Sequence, residues 1–495
     1  MKNLATLVLF YAVFGSLGAP TYAQLNESKE NLPTLSPLPS EELEASTEPE
    51  EADNPPANLP STELFLQDLL ADPNPLSRPT LEEEVEIEQT QVITLEEAIE
   101  LAYANNQDLQ TTLLELEQSQ AVLDEAEAAL LPTVDMTSDT TFQEDQGTIL
   151  EDGSGIDTFL GSTVEINYDL FASGARRANI RAAEAQVRLD TLEVERTQEE
   201  LRLNTATIYF DLQEATEDIR INQAFVEEAA QNLRDNQVRQ QAGVGTQFDV
   251  LRADVQLANA RQDLVQARSD QQIAQRNLAR LLNIPTTQNI QATGVTRAED
   301  WPLTLEESIV LAFQNRVELT QNLEEREIAL QQSIVARAAV RPQISLFANY
   351  SLSDTLDDGQ DLSDFYSFGA DLNWQLFDGG AAKASARQQE ISAEIAEQTF
   401  SETLDTIRFD AEEAYFNLQA NAENIGTAQT AVTQARESLN IANLRLDAGV
   451  GTELDVLEAQ SDLTDAEGNL VDALLGYNRA LVELQRAVSR LTTTL

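Results

Sequence analysis

The chain has 495 residues, 42% of them hydrophobic, with 30 Lys plus Arg against 86 Asp plus Glu and a formal charge of −56. That balance lacks the clustered cations that a phosphate backbone requires, so nucleic acid is excluded as a partner. The absence of His and Cys removes His-based triads, thiol nucleophiles, His or Cys metal sites and disulfides together, and points away from an enzyme and from any metal or cofactor.

Residues 1–23 carry Lys2, an apolar run from Leu4 to Leu17, and Thr21-Tyr22-Ala23 with small residues at the two positions a signal peptidase reads. This reads as a cleaved secretory signal. Residues 24–90 form an acidic leader, with 17 acidic and 2 basic residues from Leu25 to Thr90 and Pro-rich pieces at 32–39 and 55–60. Such a stretch buries too little apolar surface to offset its ordering entropy, and disorder is expected, with Leu64–Leu70 able to form a short docking helix. No later segment offers the roughly 20 apolar residues of a membrane-spanning helix.

The remainder is one module used twice. Ile93-Thr-Leu-Glu-Glu-Ala-Ile-Glu-Leu-Ala-Tyr returns as Leu303-Thr-Leu-Glu-Glu-Ser-Ile-Val-Leu-Ala-Phe, Leu170-Phe-Ala-Ser-Gly as Leu376-Phe-Asp-Gly-Gly, and Ala242-Gly-Val-Gly-Thr as Ala448-Gly-Val-Gly-Thr. The copies are placed at 91–283 and 303–495, joined by a linker at 284–302. In each, helical spacing from Leu95 to Leu131, with Thr94 as N-cap, stops at Pro132. Period-two alternation follows: Val134, Met136 and Phe142 share a face, as do Leu160, Val164, Ile166, Tyr168 and Leu170. The second copy repeats this with Ile344, Leu346, Ala348, Tyr350 and Leu352, then Tyr366, Phe368, Ala370, Leu372, Trp374 and Leu376. Each copy therefore holds a hairpin with one greasy and one polar face.

From Gly174 to Gln241 and from Gly380 to Asp447 nothing interrupts the helical pattern, which implies helices of about 100 Å at ~1.5 Å per residue. Their short apolar side chains on adjoining faces suit coiled-coil packing in a multi-helix wall. A Gly-Val-Gly-Thr turn reverses the chain, and a shorter helix returns through Leu282 or Leu491. Strands of about 10 to 12 residues match a tilted membrane barrel, yet four strands close no barrel, so the strands demand oligomerisation if they span lipid. Three chains would supply twelve.

The order of signal, duplicated helix, hairpin, long helix and Gly-Thr turn, with Leu376-Phe-Asp-Gly-Gly and Gly451-Thr-Glu-Leu-Asp-Val-Leu-Glu-Ala, resembles the TolC family of outer-membrane efflux ducts over nearly all of residues 91–495. The leader lies outside the family's common core and is similar to extensions in cyanobacterial members. The resemblance implies a mainly α fold with membrane β-strands. A homotrimer would form a 12-stranded outer-membrane barrel (4 strands per chain) continued by a long α-helical periplasmic barrel, and the linker would be equatorial. It implies passive conduction from a tripartite pump or type I secretion system. The partners would be a periplasmic adaptor protein, an inner-membrane transporter of the ABC, RND or MFS type, and outer-membrane lipid.

It also implies a periplasmic constriction of acidic rings, onto which Asp455, Glu458 and, in the first copy, Asp249 fall, whereas Arg252 replaces an acid there. Spacing i, i+3 sets Asp455 and Glu458 on one helix face, and six carboxylates around one axis would raise some of their pKa values. Asp249 and Asp455 each also follow a capping Thr by three residues, a structural role compatible with the other. The tip turns Gly243, Gly245, Thr246 and Gly449, Gly451, Thr452 are the expected adaptor-docking surface. The family's best-known closed tip is locked partly through a tyrosine and an arginine; between Leu446 and Glu453 this chain has neither, only Arg445 and Arg239 further back. A non-conducting periplasmic scaffold is the alternative from another class, and a carboxylate hydrolase lacks any motif that marks a paired-acid pocket.

Overall fold

The computed structural model describes residues 89–144, 156–285, 288–355 and 362–489. The signal, nearly all of the leader with Leu64–Leu70, and the expected helix end at Leu491 lie outside the described residues. The first half runs β1 (Gln89–Ile93), α1 (Leu95–Asn105), α2 (Gln107–Ala128), β2 (Thr133–Glu144), β3 (Ile156–Phe171), α3 (Ala175–Gln241) and α4 (Gln247–Leu281). The second runs β4 (Gln288–Ala292), α5 (Leu305–Asn315), α6 (Val317–Ala338), β5 (Gln343–Thr355), β6 (Ser363–Asn373), α7 (Ala381–Asp447) and α8 (Glu453–Ala487).

Thr94 opens α1 as expected: its N–H donates to Glu97 Oε2 at 2.8 Å, and its Oγ1 accepts from the Glu97 N–H at 3.2 Å. The single helix expected from Leu95 to Leu131 is instead two. Asn106, with ψ 128°, ends α1 and starts α2, its Oδ1 accepting from Leu109 N–H at 3.0 Å. The break has a use, because Asn106 Nδ2 donates to Leu281 O at 3.3 Å, one of the carbonyls left unpaired at the end of α4. Asn315 does the same for Val488 O in the second half.

The long helices α3 and α7 have 67 residues each, with the bounds expected from the sequence. Gly174 and Gly380 precede them at φ +91° and +93°, a conformation that favours glycine. Asp378 caps α7 by accepting from the N–H groups of Gly380 and Ala382 at 2.8 and 2.6 Å. Those bonds lower its carboxyl pKa. The equivalent residue before α3 is Ala172, and no side chain caps that helix.

The hairpins join in one antiparallel sheet of order β2-β3-β5-β6. Its register sets Val134, Ile166, Ala348 and Phe368 in one row and Met136, Val164, Tyr350 and Tyr366 in the next, so the greasy face is continuous across both copies. Below the sheet α2, α3, α6 and α7 pack side by side, and towards the turns the order becomes α4, α3, α8, α7. Each layer thus ends in a first-copy element on one side (β2, α2 or α4) and a second-copy element on the other (β6 or α7). Within each helical hairpin the contacts are small and apolar: Ala229 and Ala260 with Leu257, then Ala442 and Ala459 with Leu439 and Val456.

Midway along α3, the parallel pair β1–β4 closes a core, with β4 lying in the stretch expected to be a linker. Gln89 and Thr90, placed in the disordered leader, belong to β1. Tyr209, fully buried, donates to Ile93 O at 2.9 Å and accepts from Thr293 N–H at 3.0 Å, tying α3 to both strands. Nearby, Arg316 and Arg486 converge on Glu318, each at 2.9 Å, while Arg316 also reaches Asp410 on α7 at 3.3 Å. Burial pushes the Glu318 carboxyl up, but the two guanidiniums outweigh it and hold it at about 2, below its ordinary 4.5.

A depressed folded value means stabilisation that is present above pH ~4.5 and lost as pH falls towards about 2. Glu318→Gln is therefore expected to cost on the order of 2 kcal/mol at pH 7, since it leaves two half-buried guanidiniums with only their second partners, Asp410 for Arg316 and Glu200 for Arg486. Thermal melts of the two proteins should converge as pH drops through that window; a difference independent of pH would contradict the assignment.

Candidate functional site

The end of each helical hairpin is built from a turn that only glycine accommodates. After α3, Gly243 N–H donates to Gln240 O and Val244 N–H to Arg239 O, both at 3.0 Å, with Gly243 at φ +78°. Gly449 and Val450 repeat this after α7, with Gly449 at φ +74°. This 6→1 and 5→2 pairing satisfies the last carbonyls of each helix. The second glycine answers a different need. A Cβ on Gly451 would stand 2.9 Å from Leu446 N, and one on Gly245 3.1 Å from Arg239 Cβ, so the chain folds back against its own helix end. Val244 and Val450 are left exposed at the two apices.

Thr246 and Thr452 then cap the returning helices. Thr246 N–H donates to Asp249 Oδ2 at 2.9 Å, and Thr452 N–H to Asp455 Oδ2 at 2.9 Å. The Thr246 hydroxyl and N–H lower the Asp249 carboxyl pKa, and the Thr452 N–H and hydroxyl lower that of Asp455. Both acids thus occupy the capping role that the sequence allowed. Within one chain the cap acts opposite to the rise expected from a ring of carboxylates. Glu458, one turn further along α8, is exposed. Asp249 is bordered by Arg252 and Asp455 by Arg445.

The tips contain a junction that motif reading missed. Arg239, on the last turn of α3, reaches Asp447 at the end of α7 at 2.8 Å and Glu453 at the start of α8 at 3.8 Å. Glu453 is only 8% exposed, and both its carboxylate oxygens are buried without a hydrogen-bond partner, so Arg239 is the charge that compensates it. The equivalents of Asp447 and Glu453 in the first copy are Gln241 and Gln247. An arginine present in both copies (Arg239 and Arg445) thus meets acids that only the second copy carries. That asymmetry between repeats was the available signal.

Further along the same seam, Glu228 is hydrogen-bonded to Gln460, and burial raises its carboxyl pKa. Gln460 Oε1 and Asn232 Nδ2 are buried without partners. The contact between α3 and α8 near the tips is therefore polar and incompletely satisfied, whereas the contacts inside each hairpin are apolar.

Arg239→Ala should raise amide exchange in the first turn of α8, because it leaves the Glu453 carboxylate buried and unpaired. Adding Glu453→Gln should restore much of the protection. Asp447→Asn should change little, since Asp447 is 71% exposed and such pairs contribute less than about 1 kcal/mol. Unaltered exchange in Arg239→Ala would remove the junction from the account.

Comparison with known proteins agrees with this geometry. The family model described as outer membrane efflux protein matches residues 98–283 and 308–490. The pyoverdine export outer membrane protein OpmQ of Pseudomonas aeruginosa is 26% identical over 409 residues, covering 80% of this chain and 84% of its own. The outer membrane protein TolC of Vibrio cholerae is 22% identical over 379 residues, covering 74% of this chain and 83% of its own. Among solved structures, the Campylobacter jejuni outer membrane channel CmeC superposes with a TM-score of 0.70 at 19% identity, covering 80% of this chain and 85% of its own. Duplicated helical hairpins, a four-stranded half-polar sheet and a family match across both halves lead to one conclusion: the chain belongs to the TolC-type outer membrane efflux protein family, whose members are outer-membrane channels with a periplasmic helical domain.

Proposed function

We propose that three copies of this chain close into a duct that passively conducts solutes from the periplasm through the outer membrane, as the exit component of a tripartite efflux or secretion system. The observation that carries this reading is the open edge shared by every layer. In a closed ring the β6 edge of one copy meets the β2 edge of the next, and the α7 face meets α2 above and α4 below. Exposed apolar residues line both sides of the lower joint, Phe248, Leu251 and Val255 on α4 and Ile441 and Leu444 on α7. Twelve strands then form a barrel with the greasy face towards lipid and the polar face towards water.

The six tip turns of three chains, marked by Gly243, Gly245, Thr246, Gly449, Gly451 and Thr452, form the docking surface for a periplasmic adaptor, which connects the duct to an inner-membrane transporter. Gly243 and Gly449 replaced by bulky residues should abolish export while the assembly stays folded. Asp455 and Glu458, with Asp249 on the neighbouring tip, narrow the periplasmic mouth, and Arg239 holds it shut by binding Asp447 and Glu453. Pyoverdine export by a relative supports small solutes as cargo.

Planar bilayers test this reading. The wild-type protein should give cation-preferring channels, and Asp455→Ala with Glu458→Ala should reduce that preference and weaken block by trivalent cations added at the tip side. Folded protein that forms no channels would contradict conduction. Channels with selectivity and block unchanged in the double variant would leave those two acids as helix-starting residues only.

A further inference from the structure

The polar face of the sheet carries a pattern that barrel closure does not explain. None of the four strands contains Lys or Arg. By register, Asp135, Glu165, Asn349 and Ser367 form one row, with Asp135 directly opposite Glu165. Like charges opposed across a strand pair are destabilising, and no cation on the strands offsets these two. The rows on either side each contain a phenylalanine where polar residues otherwise prevail. One row is Thr137, Thr163, Ser351 and Phe365, and the other is Thr133, Asn167, Phe347 and Gly369.

Phe365 is 64% exposed on this face. Phe347 lies over Gly369, where a Cβ would come within 2.9 Å of its ring, so the glycine gives the ring its place against the wall. Rows on one face of a strand repeat every ~7 Å and adjacent strands lie ~4.8 Å apart, so Phe347 stands one row and one strand from Glu165 and Phe365 one row and two strands from it, both within the span of a bulky solute held at the acidic row. Asn349 is fixed between them, its Oδ1 accepting from Ser367 N–H at 3.1 Å. Solubility and folding explain none of this, since exposed rings facing water are a cost and opposed carboxylates a second one.

We propose that this part of the wall is a binding site for organic cations with an aromatic or apolar body. Asp135 and Glu165 hold the charge, and Phe347 and Phe365 hold the body through ring faces and apolar contact. Charge complementarity selects the cation, and the flanking rings separate it from a hydrated metal ion, which finds no fixed cage here. The site rests on the reading of this face as the duct lumen. Three copies around the axis make it a belt that a passing solute meets on every side.

The test uses tetraphenylphosphonium and the anion of matching shape, tetraphenylborate, with the purified full chain. Calorimetry should detect tetraphenylphosphonium binding and none of the anion, and the cation should block potassium current in bilayers. Phe365→Ala is expected to weaken binding about three- to tenfold, with Phe365→Trp restoring it. Asp135→Asn with Glu165→Gln should weaken it at least as much, while potassium conduction persists in all of them. Equal binding of both ions, or cation affinity unchanged in the Phe365→Ala and double-acid variants, would overturn the site. Loss of potassium current in the wild type would contradict the duct instead, and the calorimetric comparison would still decide the site.

Discussion

Backbone groups in lipid must be paired, and a four-stranded sheet leaves two edges that are not. The remaining architecture follows from that constraint. β2 and β6 stand at the ends of the sheet, and the helices beneath them inherit the same order, so the open β6 edge continues into α7, which exposes apolar residues near both of its ends. A long helix is the cheapest continuation, because α3 and α7 satisfy their own backbone while presenting Ala-rich faces to neighbours on both sides. The capping boxes, glycine turns and the pair β1–β4 fix the register of these helices rather than create them.

The duplication supplies two nearly equivalent halves, and the places where they differ carry the more specific roles. Asp378 caps α7, whereas Ala172 leaves α3 uncapped. Asp447 and Glu453 give Arg239 its counter-charges, where Gln241 and Gln247 would give none. Arg316 replaces Asn106 as the residue between the two short helices and exchanges a helix cap for an ion-pair network with Glu318 and Asp410. In the last case the first copy keeps a helix cap and the second spends that position on a contact between helices.

Much of the fold was legible because the periods are long and clean. Sixty-seven residues of helical spacing and ten of strict alternation leave little competition, and the bounds of α3 and α7 agree with the sequence reading. The break at Asn106 was hidden, since Asn within apolar periodicity looks like any exposed polar residue until its partner, the Leu281 carbonyl, is known. β1 and β4 were hidden for a similar reason. Five residues each, Gln-Thr-Gln-Val-Ile and Gln-Asn-Ile-Gln-Ala, carry too little pattern, and their pairing depends on a contact between segments far apart in sequence. At the tips, Asp455 and Asp249 could be named from spacing, but the clasp at Glu453 required three helix ends to be brought together.

The claim that the chain works only as a closed ring is tested most directly by its mass in solution. Light scattering on protein extracted gently from outer membranes should give three times the mass of one chain, in an assembly that resists dissociation because each β6 edge is paired with a neighbouring β2. A folded, membrane-extracted monomer with the four-stranded sheet intact would contradict the account, since its edges would then be satisfied by something other than copies of itself.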